Sequence, residues 1–340
     1  IWNPDYLATG QENRFVVDPL LGWTPPSTPG NILGIVSDTA YNPDFSKPSL
    51  LFYGDSFVYG AMLVPVPQRI PQLLDEFLSY YSVYNYGVSA FGVDQIFLRF
   101  RETHSAFQNP LIFFGILTED MDRSILNVHS APKPRFSLQN GELDLLNTPI
   151  PSDSSKWYAH NPVAINSYFL ALVRRIYENL DGGVDRQSEK KMINRKILEA
   201  VVEEARKHDL TIVFVIFYGT RELKKEGWRE IFLKDLFEEL GVPYIYDPRQ
   251  QIVRLTGEEL LAGTRGAKML IVNEYEFGML KNKTSLSDDE LLAQPKITII
   301  TLGEQGSRIY VEDQVLQIPV VPPLRLVEPT GVGDAYRGGV

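Results

Sequence analysis

The sequence predicts an α/β protein built around a parallel, doubly wound, three-layer α/β/α sheet, and three observations carry that prediction. Short apolar runs recur: Leu50-Leu51-Phe52-Tyr53, Leu111-Ile112-Phe113-Phe114 and Thr211-Ile212-Val213-Phe214-Val215-Ile216-Phe217. Unbroken apolar runs of this length suit strands buried on both faces, as in parallel sheets. Helical stretches separate them, the order that βαβ units require. Loops rich in Gly, Asp and Ser follow the strands directly, at the edge where open α/β sheets bind ligands.

Residues 1–48 are a lead-in segment rich in Pro, Gly, Asn and Asp, and Pro25-Pro26-Ser27-Thr28-Pro29-Gly30 predicts an extended loop. From Ser49 the elements alternate. The strand at 50–53 precedes a helical stretch near Pro67 to Ser79, the strand Ser82-Val83-Tyr84-Asn85-Tyr86, a helix around Asp94 to Thr103 and the strand at 111–114. Residues 127–160 are polar and broken by prolines, which predicts a long excursion or lid. An amphipathic helix over Asn161 to Leu180 and a second over 185–207 lead to the strand at 211–217. The helix Trp228 to Leu240 and the strand Val242-Pro243-Tyr244-Ile245-Tyr246 complete an α/β domain over 49–246. The remaining segment, 247–340, predicts a helix start at 257–261, strands at 268–272 and 297–302, and a hairpin turning at Glu312-Asp313-Gln314.

Composition narrows the function classes. With 44% hydrophobic and 11% aromatic residues in 340, the chain can bury real cores. A net charge of −10 without any basic block argues against nucleic-acid or anionic-membrane partners and leaves small-molecule substrates. The absence of cysteine excludes disulfides, thiolate metal sites and a cysteine nucleophile. No apolar run approaches the roughly 18 residues of a membrane span, and the start lacks a signal pattern and an initiator Met. The expectation is a cytoplasmic protein whose natural start has been lost. Nothing in the sequence marks an oligomeric state. Of the four histidines, His104 and His208 fall in presumed helices and His129 and His160 in the polar excursion, so all four read as solvent-facing.

The carboxyl-terminal Pro329-Thr330-Gly331-Val332-Gly333-Asp334-Ala335-Tyr336-Arg337-Gly338-Gly339 places a glycine turn and a carboxylate at a helix start. Such a turn converges N–H groups on an anion, and the carboxylate can take a proton from an attacking hydroxyl. The motif resembles the signature of ribokinase-like (PfkB) sugar and nucleoside kinases, with Val332 and Tyr336 as mild departures and Glu328 where that family has Asp. The resemblance reaches back to Asp247 through Gly257-Glu258-Glu259-Leu260-Leu261, Asn273-Glu274-Tyr275-Glu276 and Thr301-Leu302-Gly303-Glu304-Gln305-Gly306. It implies MgATP as cofactor, Asp334 as base and the N–H groups of Gly331, Val332 and Gly333 as anion hole. It also implies Thr301, Gly303 and Gly306 on the nucleotide side and Asn273 and Glu276 at Mg2+, largely through water.

Gly54-Asp55-Ser56 follows the first buried strand, Asn85-Tyr86-Gly87-Val88-Ser89 the next, and Gly115-Ile116-Leu117-Thr118-Glu119-Asp120 the one after. With Leu20-Leu21-Gly22-Trp23 ahead of them, these blocks resemble the SGNH (GDSL-type) hydrolases, a flavodoxin-like family without a cofactor. The resemblance implies Ser56 as nucleophile and the N–H groups of Ser56 and Gly87 as oxyanion donors, a donor of this kind being worth about 3 kcal/mol. Two departures stand out. Glu119 occupies the place of the third donor, an Asn in that family, and no histidine beyond His208 supplies an Asp-x-x-His block. The sequence therefore predicts a partial or chimeric reading frame: an esterase-like domain continued by a partial ribokinase-like segment, each inactive as given. Ester hydrolysis or acyl transfer as the main activity, and a non-catalytic binding or scaffold role, stay open beside it.

Overall fold

The structure, a computed structural model, describes residues 15–26, 35–36, 46–60, 65–78, 80–153, 156–157, 159, 183–217, 227–311 and 314–320. It is a mixed α/β protein that divides into two units, residues 1–212 with 216–219, and residues 213–215 with 220–340. The strand Thr211–Phe217 thus contributes to both.

The first unit opens with a hairpin, β1 (Val16–Asp18) and β2 (Gly22–Thr24), paired antiparallel. Asp18 Oδ1 accepts from the N–H groups of Leu20 and Leu21 and closes the turn. The main sheet contains β3 (Ser49–Tyr53), β4 (Ser82–Asn85), β5 (Leu111–Leu117) and β10 (Thr211–Phe217) in the order β10-β5-β3-β4. β3 pairs parallel with both β4 and β5 and is buried along its whole length, as its unbroken apolar run requires.

Helix Val93–Thr103 follows β4 and is tied to the sheet by aromatic side chains. Tyr53 stacks on Tyr86 at 5.1 Å, meets Phe100 edge-on, and shares a 2.8 Å hydrogen bond with Thr103 Oγ1. Asp94, in the first turn of that helix, forms a wholly buried pair with Lys133, whose ammonium also donates to the Pro134 carbonyl. Both charges need each other at that depth.

The predicted excursion over 127–160 is partly regular structure. β6 (Val128–His129) and β7 (Ala131–Pro132) pair antiparallel, and β8 (Arg135–Gln139) and β9 (Glu142–Leu146) form an antiparallel hairpin whose Asn140 and Gly141 take φ of 53° and 83°. An Asn-Gly pair suits a two-residue turn of this hand. The helix predicted over 161–180 lies outside the described residues, whereas 185–207 is helical as expected, within Gly183–Lys207.

The second unit carries β11 (Ile245–Tyr246), β12 (Met269–Asn273), β13 (Ile297–Thr301), β14 (Ser307–Val311) and β15 (Gln314–Ile318) in sequential order. β11, β12 and β13 run parallel, and β14 and β15 add an antiparallel hairpin. The strand predicted over 242–246 is shorter than its apolar run, with only an isolated parallel bridge from Tyr244 to Phe214 ahead of β11. Pro243 has no N–H to give a ladder.

Three helices start with reciprocal capping boxes: Thr256 with Glu259, Asn273 with Glu276, and Ser287 with Glu290. Each satisfies two backbone donors that a helix start otherwise leaves open. Among the described residues, no helix is long and apolar enough to cross a membrane.

Candidate functional sites

In the first unit, the loops after β3, β4 and β5 meet at the carboxyl edge of the sheet. Val88 N–H donates to the Gly54 carbonyl at 3.0 Å, joining the first two. A Cβ on Gly87 would lie 2.3 Å from the Tyr59 nitrogen, so only glycine lets this loop touch the short helix Ser56–Tyr59. Asp55 caps that helix: its Oδ1 accepts from Phe57 N–H at 2.9 Å, and its Oδ2 from Ser56 Oγ at 3.2 Å. Arg123 Nη1 donates to the same Oδ2 at 3.1 Å, to Asp120 Oδ1 at 2.5 Å and to the Phe91 carbonyl at 2.9 Å.

One guanidinium therefore serves two buried carboxylates. Asp120 Oδ2 also accepts from Leu117 N–H. Burial, then the charge of Asp55, pushes the Asp120 carboxyl well above the usual carboxylate range, against the pull of Arg123.

The residues that the hydrolase resemblance implies are accordingly gathered on one edge. Ser56 is half-buried, and its hydroxyl is held by Asp55. The Gly87 N–H donates to Asn85 Oδ1 at 2.9 Å. Glu119 is half-buried at the start of the helix Asp120–Arg123, and its side chain makes no capping bond there. Arg123 was missed by the sequence reading, although it stands three residues after Asp120, one helical turn along.

Among the described histidines, none hydrogen-bonds Ser56. The solvent-facing reading fails for His104, which is 2% exposed, because its ring turns inward to pack at a tilt against Phe100, with centroids 4.8 Å apart. Burial pushes its imidazole below the ordinary value, ahead of the opposing effect of Glu204. His129 is half-buried and lowered by burial and then by the charges of Arg123 and Lys133. His208 is exposed, and His160 lies outside the described residues.

In the second unit, the parallel register sets Asn273 beside Thr301 at the ends of β12 and β13. Asn273 Oδ1 accepts from Glu276 N–H at 2.7 Å, and Glu276 Oε2 accepts from Asn273 N–H at 2.8 Å. Both side chains are fixed at the helix start by this exchange, and both are half-buried. After Thr301 the chain turns sharply: Leu302 N–H donates to the Gly306 carbonyl, and Gly306 N–H to that of Gly303. Gly306 takes φ of 84°, and a Cβ there would lie 2.0 Å from the Ile318 carbonyl oxygen. The turn that the resemblance assigns to the nucleotide is thus also required by the β14–β15 hairpin. Gly331, Val332, Gly333 and Asp334 lie outside the described residues.

Hard oxygen donors at adjacent strand ends, followed by a glycine turn, suit Mg2+ and the phosphates it accompanies. Residues 220–340 match the model of the pfkB family carbohydrate kinases. The carboxyl-terminal segment is similar to ribokinase-like kinases. The match starts upstream of Asp247 and takes in the helix Trp228–Glu239. A nucleoside kinase of Methanocaldococcus jannaschii is 33% identical over 94 residues, 28% of this chain and 31% of that kinase. One of Thermoplasma acidophilum is 29% identical over 107 residues, 31% of this chain and 34% of that kinase. The solved Burkholderia thailandensis nucleoside kinase in complex with inosine is 39% identical, covering 31% of this chain and 35% of its own, with a TM-score of 0.30. The chain spans about a third of the length of the curated nucleoside kinases it matches.

Proposed function

We propose that residues 220–340 form the nucleotide side of an ATP-dependent phosphotransferase acting on a nucleoside or sugar hydroxyl. The observation that carries this reading is the similarity to pfkB kinases over that whole segment. The names of the curated relatives favour a nucleoside acceptor. In this reading Asp334 takes the proton of the attacking hydroxyl, and the N–H groups of Gly331, Val332 and Gly333 receive the charge that develops on the transferred phosphoryl group. Thr301, Gly303 and Gly306 lie along the nucleotide, and Asn273 and Glu276 orient the water around Mg2+. Bound Mg2+ supplies charge neutralisation of the phosphates. Nucleotide binding is the direct readout of this reading.

Calorimetric titration of the full chain with ATP is expected to show Mg2+-dependent binding. Glu276→Gln should weaken it at least about tenfold, the scale on which removing a partner of a metal site acts. Asp334→Asn should leave it intact, since that carboxylate acts on the acceptor. Binding that is absent, or indifferent to Mg2+ and to Glu276, would refute the reading.

A second reading, ester hydrolysis at Ser56, is favoured by one observation. The sheet order β10-β5-β3-β4 brings the Ser56, Gly87 and Glu119 loops to one edge, which supports a flavodoxin-like first half. The Ser56 hydroxyl donates to Asp55 Oδ2, which Arg123 also engages, and no described histidine hydrogen-bonds Ser56, so turnover should be feeble. Hydrolysis of p-nitrophenyl acetate should be slow and abolished in Ser56→Ala. Turnover indifferent to that substitution would remove the assignment.

A further inference from the structure

Away from the Ser56 edge, three ligand-type side chains converge. His104 Nε2 lies 3.1 Å and His208 Nε2 3.2 Å from the same Glu204 Oε1, and the imidazole rings are 4.9 Å apart. One potential donor atom from each side chain falls within 4.8 Å of the others. We propose that His104, Glu204 and His208 form a three-ligand Zn2+ site that joins the ends of two helices of the first unit.

The ligand set is the first argument. Two imidazoles and a carboxylate, with no thiolate, are a donor combination that Zn2+ takes readily. Glu204 and His208 stand four residues apart, which sets them on one helical face, and His104 comes from a second segment far away in sequence.

Distance is the second argument. Zn–N and Zn–O bonds of about 2.0–2.2 Å in a tetrahedron put neighbouring ligand atoms roughly 3.3–3.5 Å apart. The two measured separations, 3.1 and 3.2 Å, are already close to that edge length. The remaining edge, between the imidazoles, closes by rotation of His208, the most exposed of the three at 40% side-chain exposure.

Location gives the site its role. Helix Val93–Thr103 begins at the carboxyl edge after β4 and runs back, so His104 lies at the amino edge of the sheet. Helix Gly183–Lys207 ends just ahead of β10, which places Glu204 and His208 at the same edge. The ion would therefore bridge the two helices at the edge opposite Ser56. Exposure of His208 leaves a fourth position to water. A ligand bound by the folded state alone raises its stability in proportion to the logarithm of free ligand.

The test is titration of the metal-stripped full-length chain with Zn2+, and with Co2+ as a spectroscopic substitute. One ion should bind per chain, Co2+ should give tetrahedral absorption bands, and Tm should rise with Zn2+ concentration. His208→Ala, at an exposed position that folding tolerates, should weaken binding by more than the roughly 10–100-fold that even an outer-shell partner costs. Glu204→Gln should do the same, while His129→Ala should leave binding unchanged. Absence of binding at micromolar Zn2+, or binding and Tm shifts equal in wild type, His208→Ala and Glu204→Gln, would overturn the proposal.

Discussion

The carboxyl edges of the two sheets hold their polar residues by opposite means. In the first unit, Asp55 and Asp120 are buried and share Arg123, so charge buried in the fold fixes the Ser56 loop. In the second, Asn273 and Glu276 are half-buried and fixed by reciprocal bonds to their own backbone. The first arrangement depends on residues brought together from two loops far apart in sequence. The second is written within four consecutive residues. Local devices survive as short motifs, whereas a shared buried cation leaves little trace in sequence.

That contrast can be broken at Arg123, where the largest effect is expected. Arg123→Ala leaves the buried Asp55 and Asp120 carboxyl groups without the cation they share and should cost about 3–5 kcal/mol in urea denaturation. A loss below about 1 kcal/mol would mark Arg123 as an ordinary surface partner.

Next come the glycines that let backbones touch. Gly87→Ala forces a Cβ against the Tyr59 nitrogen, and Gly306→Ala forces one against the Ile318 carbonyl at positive φ. Each should cost about 1–3 kcal/mol, the first in the unit holding Ser56 and the second in the unit holding Thr301. Hydrogen exchange resolved by peptide would show whether each loss stays in its own unit.

The burial of Asp120 beside Asp55 also predicts a pH dependence. Folded Asp120 holds its proton to higher pH than the unfolded chain does, because burial and Asp55 raise it. Its contribution to stability is therefore complete below the unfolded carboxylate value and is lost as pH rises through the folded value. Asp120→Asn should flatten that fall in urea midpoints measured from the ordinary carboxylate range upward. A slope unchanged in the variant would assign the dependence to other groups.

The smallest effect separates capping from ligand binding in the second unit. Asn273→Ala should cost about 1 kcal/mol through the lost cap, whereas Asn273→Ser should keep stability within a few tenths. If Asn273 also orients water around Mg2+, Asn273→Ser should weaken MgATP binding while leaving the urea midpoint in place. Equal ATP affinity in wild type and Asn273→Ser would confine the residue to its capping role.

The legibility of the fold follows the same division. Buried strands were readable at β3, β5, β12 and β13 because unbroken apolar runs have few other uses in chains of this composition. The β14–β15 hairpin was readable from alternation around a polar turn. The hairpin at 135–146 was not recognised, although Asn140-Gly141 carried the signal, because the prolines on either side drew the stretch into a single loop. His104 was misplaced for a different reason. Its burial depends on aromatic packing around Phe100 and on Glu204, a hundred positions away in sequence. Pairings such as Asp94 with Lys133 and Arg123 with Asp55 are tertiary in the same sense, and periodicity cannot report them.

The central claim, a nucleotide site at the strand ends of the second unit, is tested most directly by hydrogen exchange of the full chain with and without MgATP. Slower exchange is expected in peptides covering Leu302 to Gly306 and Gly331 to Asp334, with none in peptides covering Ser56 or Gly87. Unchanged exchange throughout, or protection centred on the Ser56 edge, would contradict it.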